Sequence, residues 1–500
     1  MSRAQRVPDA ALWTAGIALI SVIYMVLVVP ISFGSDETQH IFRAYQLSLG
    51  TVLPEIVHCL GHHQPVPCRV HYGGHLVPHR RAGGPVSVAL QLVLQTIYQG
   101  AERGKAADHF NPHVYARVLG VTFATSRTSF AHFENTALYS PANYLPEMLV
   151  FWVGRVFAEP VIATLFAARL AAGLVWATLV TASVAIVPRW KWLFALALLV
   201  PTAMAQGSSV SADSMAFAVT GFMIAFALWL ADRGGPPHKR ELACMSALGL
   251  LVGLLKTPLP LVVFAAIVIV WPVLGTGRAR AWRVAAIALP ASFAAVWWTI
   301  ASSAFFVPYR NTVFRPISQV YISPSQQAHY LLTHFYDVPA LLWQTLIHGQ
   351  LLPISELVGA IGETSLSKWF ALGWLAVFFV LVLGSDEGAK PARRLRAWLA
   401  GTLVAFLLAT ALVIYLSWTG VGAGVINGIH GRYFTPVIAL LIPVLAGLGG
   451  RRLRISERTV AWTAIVVLIV CTATTFVHTS YDYYHQMPWQ ALPRVTSALF

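Results

Sequence analysis

The sequence predicts an all-α polytopic membrane protein of about eleven transmembrane helices, with two large external loops that carry interfacial helices. The composition is the first reason. Of the 500 residues, 57% are apolar and 11% are charged, whereas about a quarter of the residues of a soluble domain are charged. The second reason is the placement of the Lys and Arg residues, which lie in short gaps between long apolar runs.

The basic gaps predict the orientation of the chain. Under the positive-inside rule, short loops rich in Lys and Arg are cytoplasmic. We therefore expect the N-terminus in the cytoplasm, the C-terminus outside, and the chain in a bacterial inner membrane. The net charge of +15 does not indicate nucleic-acid binding, because the sequence contains no soluble basic domain. The basic gaps are 189–191, 233–240, 278–283, 390–396 and 451–458.

The first apolar run, 11–29, is long enough to cross a hydrocarbon core, which needs about 20 residues. Arg3 and Arg6 precede it as in a signal peptide, but it continues through Pro30 without a small-residue cleavage site. We therefore expect an uncleaved anchor. The further spans are predicted near 161–187, 190–207, 213–231, 241–257, 259–275, 282–306, 367–384, 397–416, 433–449 and 459–478.

Two long external segments remain between these spans, at 30–160 and 307–366. They divide the chain into an N-terminal module that includes the first external loop, the second external loop, and a group of C-terminal helices with an external tail. The bounds of these three parts are 1–306, 307–366 and 367–500.

Three apolar stretches of the first external loop are expected to lie along the membrane surface. Stretches 38–49 and 85–98 show helical spacing of apolar residues, and Gly50 ends the first of them. The third, 143–158, is short and contains Glu147. An interfacial or re-entrant helix is expected there, because a span would invert every later loop and put the basic gaps outside.

Cys59 and Cys68 share the first external segment, in a compartment where disulfides persist, so we expect a disulfide between them. The alternatives are two free thiols, or a metal site completed by neighbouring histidines. The cysteine and histidine spacing fits no standard zinc pattern. The histidines in question are His58, His62, His63 and His71.

Asp36, Glu37 and His40 emerge where the first span reaches the outer surface. A carboxylate here could take a proton from an acceptor hydroxyl, or hold a divalent metal such as Mg or Mn. The alternative is that Asp36 only caps the helix that follows it. No other cofactor is indicated, because the sequence has neither a Walker loop nor a dinucleotide fingerprint.

Five short islands follow one another along nearly the whole chain, at 30–50, 137–146, 206–213, 255–258 and 430–436. They include Ser35-Asp36-Glu37, Leu255-Lys256-Thr257-Pro258 and His430-Gly431-Arg432-Tyr433. In this order they resemble a family of bacterial polytopic membrane proteins catalogued as a domain of unknown function. That family is similar to the GT-C fold glycosyltransferases, which include the aminoarabinose transferase and the protein mannosyltransferases.

The resemblance implies a long first external loop with a catalytic acid just after the first helix, and a sugar donor linked to a polyprenyl phosphate. The implied acid is Asp36, with Glu37 beside it. The usual Pro-Pro-Asp-Glu or Pro-Asp-Glu form is here Gly34-Ser35-Asp36-Glu37, which loosens the turn before the acid. As in the aminoarabinose transferase, seven predicted spans precede the second large external loop. The islands add the polar site candidates Arg43, Tyr139, Asn143, Tyr144 and Tyr433.

A lipid phosphate that leaves with negative charge needs cations or hydrogen-bond donors at the membrane edge. Lys256 ends a predicted span and Arg432 opens one, both on the outer side. Their alternatives are snorkelling to the interface and interfacial anchoring. His430, Arg310 and Arg315 complete this set of donor-binding candidates.

Two further charged residues could be structural or functional. Asp213 stands at the start of a span, where a helix dipole favours a carboxylate. Arg169 lies inside the second span and must find a partner or a water-filled cavity.

These observations favour an inverting glycosyl transfer at the external face, in which Asp36 deprotonates an acceptor hydroxyl that attacks a polyprenyl-phosphate sugar. The expected partners are that donor, a cell-envelope glycan or lipid acceptor, and membrane lipids. One alternative is a transporter or flippase of lipid-linked saccharides with a cavity lined by Arg169, Asp213 and Lys256. No internal repeat of the kind common in transporters is present. The other alternative is a non-catalytic envelope-assembly protein.

Overall fold

The computed structural model describes residues 7–59, 68–72, 75–101, 110–123, 127–308, 321–349, 351–386, 391–450 and 453–499. Arg310, Arg315, His62 and His63 lie outside these ranges. The helices up to the second external loop are α1 (Ala10–Val28), α2 (Glu37–Ser48), α3 (Val88–Gln99), α4 (Leu145–Val156), α5 (Val161–Ile186), α6 (Lys191–Leu198), α7 (Pro201–Gly207), α8 (Ala212–Arg233), α9 (Lys239–Leu255), α10 (Pro260–Val270) and α11 (Gly277–Ser303). The later helices are α12 (Pro324–Thr333), α13 (Val338–Ile347), α14 (Ile354–Gly359), α15 (Lys368–Gly384), α16 (Arg393–Ser417), α17 (Leu441–Leu445), α18 (Glu457–Tyr484) and α19 (Pro488–Leu499).

Six of these helices are long and apolar enough to cross a membrane: α1, α5, α8, α11, α16 and α18. Each coincides with one of the predicted spans. The chain is therefore a membrane protein with several spanning helices, as the composition predicts. The other predicted spans coincide with helices that are shorter or interrupted.

Proline explains two of the interruptions. The predicted span 190–207 is split into α6 and α7, with Pro201 as the first residue of α7. Proline has no amide hydrogen to continue a preceding helix but suits the first turn of the next. The predicted span 433–449 consists of a 3-10 helix, Thr435–Leu440, followed by α17, with prolines at positions 436 and 443.

The prediction of an all-α chain is wrong for the two segments predicted to be external, in which the described residues form three small antiparallel sheets. Residues 80–87 form a strand, in which Pro85 lies opposite Phe130, so the helix predicted from position 85 begins only at α3. The stretch 55–87 is rich in His, Arg, Pro and Gly and shows no alternation of apolar residues, which hid its strands from a sequence pattern. The strands are β1 (Glu55–His58), β2 (Arg69–Tyr72), β3 (His75–Pro78), β4 (Arg80–Ser87), β5 (Thr128–His132), β6 (Ala360–Ile361) and β7 (Thr364–Ser365).

Cys59 and Cys68 form the predicted disulfide, with their Cα atoms 4.4 Å apart. The bond joins the end of β1 to the residue before β2, and β2 pairs with β3 in a hairpin. The backbone around His79 strengthens this link, because its amide donates to the Cys68 carbonyl at 2.8 Å and its carbonyl accepts from Cys59 at 3.2 Å. With both sulfurs in the bond, neither cysteine offers a thiolate to a metal.

Two buried apolar clusters determine where a polar site can form. One fills the space among the long helices, and the other packs α2, α3 and β4 against α4 and the adjoining ends of α1 and α5. We call the end of the helix bundle that carries this second cluster the loop-bearing end. The turn Gly362-Glu363 between β6 and β7 also packs there, since the amide of Glu363 donates to the carbonyl of Phe33 at 3.1 Å.

Candidate functional site

Four charged side chains from distant parts of the sequence meet at the loop-bearing end. Asp36 precedes α2, Asp213 lies in the first turn of α8, Lys256 follows α9, and Arg432 lies in a short 3-10 helix. A terminal nitrogen of Arg432 donates to Asp36 Oδ2 at 2.9 Å, and its Nε lies 3.6 Å from Asp213 Oδ2. The Nζ of Lys256 donates to Asp213 Oδ1. The four groups form one line of alternating charge, Asp36–Arg432–Asp213–Lys256, which we call the charge line.

The charge line is accessible at one end. The side chain of Asp36 is 42% exposed, whereas those of Arg432, Asp213 and Lys256 are 11%, 5% and 15% exposed. Buried charges are tolerated when each has a partner of opposite sign, and the three buried members satisfy that condition. Asp36 is therefore the member that a bound molecule can reach most directly.

Two tyrosine rings flank the cations. The Lys256 ammonium lies 5.3 Å from the ring centre of Tyr139 and 5.4 Å from that of Tyr433, and the Arg432 guanidinium lies 5.6 Å from the Tyr433 ring. A cation over an aromatic face is attracted by the negative charge of that face. The rings thus help to hold both cations, and their N–H groups remain available to the carboxylates of Asp213 and Asp36.

Asp36 does not act as the helix cap that its position before α2 suggests. Its backbone is left-handed, with φ of 57°, and its side chain makes no capping bond. Aspartate tolerates this conformation better than most residues. The Asp36 carboxylate points away from the helix and accepts from Asn135 Nδ2 at 3.0 Å as well as from Arg432. The alternative that Asp36 only caps the helix that follows it is therefore wrong.

The surroundings of Asp36 favour its ionised form. Burial would raise the pKa of the carboxyl, but the Arg432 guanidinium, followed by His40 and His430, outweighs this effect and holds the pKa below its usual value. The pKa of His40 falls to about 4, chiefly because the ring is buried. At neutral pH the site therefore holds an Asp36 carboxylate beside a neutral His40 imidazole.

His40 links the site to its aromatic wall. Its Nδ1 lies 2.6 Å from the hydroxyl of Tyr144, and its ring stacks on Tyr139 with centroids 5.7 Å apart. Arg43 fixes the backbone of this wall, and Asn143 fixes the backbone next to Lys256. Arg43 donates to the Tyr139 carbonyl at 2.9 Å, and Asn143 donates to the carbonyl of Leu255, the residue before Lys256, at 3.2 Å.

Glu37 has a different environment from Asp36, although the two are adjacent. It is buried and ion-paired with Arg169, whose Nε donates to Glu37 Oε1 at 2.7 Å. The Glu37 carboxylate also accepts from backbone amides at positions 32, 34 and 210. Arg169 in turn donates to the carbonyls of Val29 and Pro30 at 2.5 and 2.8 Å. Glu37 and Arg169 together fix the turn before Asp36, and neither oxygen of Glu37 is free to react with a substrate.

The second of the two predicted external loops contributes two carboxylates that are not among the residues expected from the sequence. Glu356 accepts from His430 Nδ1 and from the amide of Gly431, both at 3.0 Å, and so supports the turn that carries Arg432. Burial would raise the pKa of Glu356, but its bond to His430 holds the pKa below the usual value. Glu363 lies near Asp36, and burial together with the Asp36 charge raises the pKa of Glu363. The sequence offered one signal for them, since Glu356 and Glu363 are the only acidic residues between positions 351 and 366.

A hydrogen-bonded chain joins this loop to the Asp36 turn. The hydroxyl of Ser35 donates to the Gly362 carbonyl at 3.0 Å and accepts from Gln206 Nε2 at 2.9 Å. Gln206 Oε1 accepts from Ser211, whose hydroxyl also accepts from the amide of Asp213. Ser35 therefore connects the turn before Asp36, through Gln206 and Ser211, to the first turn of α8, which carries Asp213.

The described residues contain no group of three or more His, Cys, Asp and Glu side chains placed to hold a metal ion. At Asp36 the partners are a guanidinium and an amide NH₂, which are donors rather than metal ligands. The donor set in this part of the chain suits an anionic ligand better than a divalent cation.

Glu147 is a buried acid next to this site. Its side chain is fully buried on α4, and neither oxygen makes a hydrogen bond of normal geometry within the described ranges, although the amides of Glu147 and Ser211 are close. Burial raises the pKa of Glu147 to about 8. The neighbouring face of α4 exposes Leu149, Trp152 and Val156, as expected for a helix at a membrane surface.

A raised acid pKa makes stability depend on pH. The Glu147 carboxyl loses its proton near pH 4.5 in the unfolded chain and only near pH 8 in the folded chain. The contribution of protonated Glu147 to stability is therefore full below pH 4.5 and is lost as the pH rises through pH 8. We expect the free energy of unfolding to fall by about 2 kcal/mol between about pH 6 and about pH 8. Denaturation in detergent at a series of pH values measures it. Glu147→Gln should lack this component, and an unchanged pH dependence in that variant would contradict the assignment.

Most of the chain matches one known family of membrane proteins. No curated protein and no solved structure is significantly similar to the chain. Residues 19–442 match the family described as predicted membrane protein (DUF2142), a range that includes all four members of the charge line. Since this match covers most of the 500 residues, the chain belongs to the DUF2142 family of membrane proteins.

Proposed function

We propose that the protein is an inverting membrane glycosyltransferase that moves a sugar from a polyprenyl-phosphate donor to a cell-envelope glycan or lipid acceptor. The proposal includes a GT-C-like fold of eleven spans, in a bacterial inner membrane with the N-terminus in the cytoplasm. The observation that carries it is the charge line itself. An accessible carboxylate, Asp36, stands beside two cations, Arg432 and Lys256, at the ends of apolar segments.

In the proposed reaction the acceptor hydroxyl oxygen forms a bond to the anomeric carbon, and the bond between that carbon and the phosphate oxygen breaks. The hydroxyl proton passes to the Asp36 carboxylate, and the electron pair of the broken bond stays on the lipid phosphate. Arg432 and Lys256 stabilise the charge on that leaving group. Direct displacement inverts the anomeric centre and needs only one base. No second carboxylate has to react, so Glu37 can be buried against Arg169.

The donor site is tested by Arg432→Ala. Loss of a charge-assisted hydrogen bond is worth about 1.5 to 3 kcal/mol, so we expect polyprenyl-phosphate binding to weaken by roughly 10- to 100-fold. Donor binding and radiolabelled sugar transfer from a synthetic donor are measured in detergent for the same preparations. The matched control is Arg454→Ala, which removes an exposed guanidinium paired with Asp386 and should change neither quantity.

The same assay separates the enzyme from the transporter. If the wild type binds the donor and moves it across liposomes without transferring sugar, the protein is a flippase and the proposed reaction is wrong. Unchanged donor binding in Arg432→Ala would remove Arg432 from the phosphate site.

The proposed orientation predicts where fused reporters will lie. A reporter after Arg394 should be cytoplasmic, because that position is in a basic gap. Reporters after Gln64 and Ser325 should be external. Protease or alkylation accessibility in intact cells measures the location of all three reporters. A cytoplasmic result at Gln64 would reverse the proposed orientation of the spans.

A further inference from the structure

We infer that Asp213 is an internal counter-anion that occupies the phosphate site when the donor is absent and competes with the donor for Lys256 and Arg432. This inference rests on the proposed function, because it assumes that these cations bind a lipid phosphate. It assigns Asp213 the role of setting the affinity of that site for phosphate.

The position of Asp213 is the first support. Its two oxygens are shared between the two cations, with Oδ1 accepting from Lys256 Nζ and Oδ2 lying 3.6 Å from Arg432 Nε. A phosphate with two free oxygens would bridge the same pair. The carboxylate therefore occupies the position that a phosphate needs to contact both cations.

The incomplete bonding of Arg432 is the second support. Its Nε is buried and has no hydrogen-bond partner within the described ranges, since 3.6 Å to Asp213 is too long for such a bond. A buried donor without an acceptor is costly, by about 1–3 kcal/mol. An oxygen of a ligand that displaced the Asp213 carboxylate could satisfy it.

Charge balance supplies the reason for such a residue. With Asp36 and Asp213 ionised, the charge line carries two negative and two positive charges, so each of its cations has a carboxylate partner. Within the described part of the chain, Lys256 without Asp213 would keep the ring contacts to Tyr139 and Tyr433 but no carboxylate partner. A lipid phosphate, whether donor or product, would then bind an excess of positive charge and dissociate slowly. Asp213 lowers phosphate affinity and so favours product release.

The test is phosphate binding by Asp213→Asn, with farnesyl phosphate as the probe and neutral farnesol to measure the contribution of the lipid chain. The amide keeps the shape of the side chain and removes its charge. We expect Asp213→Asn to bind farnesyl phosphate roughly 10-fold more tightly than the wild type, with slower dissociation, and farnesol binding to be unchanged. Asp213→Glu, which restores the charge, should return to the wild-type affinity.

The matched control is Asp232→Asn, an exposed aspartate of α8 paired with Arg189, which should leave both ligands unaffected. Equal or weaker farnesyl phosphate binding by a folded Asp213→Asn protein overturns the inference and leaves the proposed function in place. If neither the wild type nor any variant prefers farnesyl phosphate to farnesol, the phosphate site itself is wrong, and the proposed function fails with it.

Discussion

Asp36→Asn should lower the rate of sugar transfer by about 100-fold or more, because an amide cannot accept the acceptor proton at neutral pH. The fold should tolerate the change. Asparagine also adopts the left-handed backbone that Asp36 has, and no capping bond is lost. Arg432 keeps Asp213 as its ionic partner. Donor binding should therefore survive, so that the loss appears in the transfer step at saturating donor.

The measurement is single-turnover transfer of radiolabelled sugar from a synthetic polyprenyl-phosphate donor, with donor binding and thermal unfolding recorded on the same samples. Asp386→Asn is the matched control, because Asp386 is also partly exposed and paired with an arginine but lies away from the charge line. Wild-type transfer by Asp36→Asn would remove Asp36 from the mechanism. A fall in unfolding temperature that matched the loss of activity would assign Asp36 a structural role instead.

The pKa of Asp36 predicts the pH behaviour of the wild type. Because Arg432, together with His40 and His430, outweighs burial and holds this pKa below its usual value, the carboxylate is ionised at neutral pH. Protonation of the base should therefore not reduce transfer between pH 5 and 8. Any loss of activity in that range must come from another group, such as Glu147, whose pKa burial raises to about 8.

The convergence of the charge line was partly predictable from the sequence. Asp36, Asp213, Lys256 and Arg432 each stand at the end of an apolar run, and the positive-inside rule places all four ends on the same side. Hydrophobic length and loop charge are local properties, so they are readable without a structure. The six long helices were predictable for the same reason.

The pairing of the charges was not predictable, because it depends on how the helices pack. Nothing local distinguishes Asp36 from Glu37, yet Asp36 is accessible and Glu37 is buried against Arg169.

The contribution of the second predicted external loop is also a tertiary effect. Gly362, with φ of 61°, allows the β6–β7 turn to approach Phe33 so closely that a Cβ would lie 2.1 Å from its carbonyl oxygen.

Arg169→Met should destabilise the protein by about 3–5 kcal/mol, which is the usual result of removing one partner of a buried ion pair. The change leaves the Glu37 carboxylate buried and also frees the carbonyls of Val29 and Pro30, so the turn that carries Asp36 loses its support. The midpoint of denaturation in detergent measures the effect. The matched control is Arg189→Met, which removes an exposed pair with Asp232 and should cost under about 1 kcal/mol. Adding Glu37→Gln to Arg169→Met should recover part of the loss, because the unpaired charge is then gone. Equal stability of Arg169→Met and Arg189→Met would show that the buried pair does not support this end of the bundle.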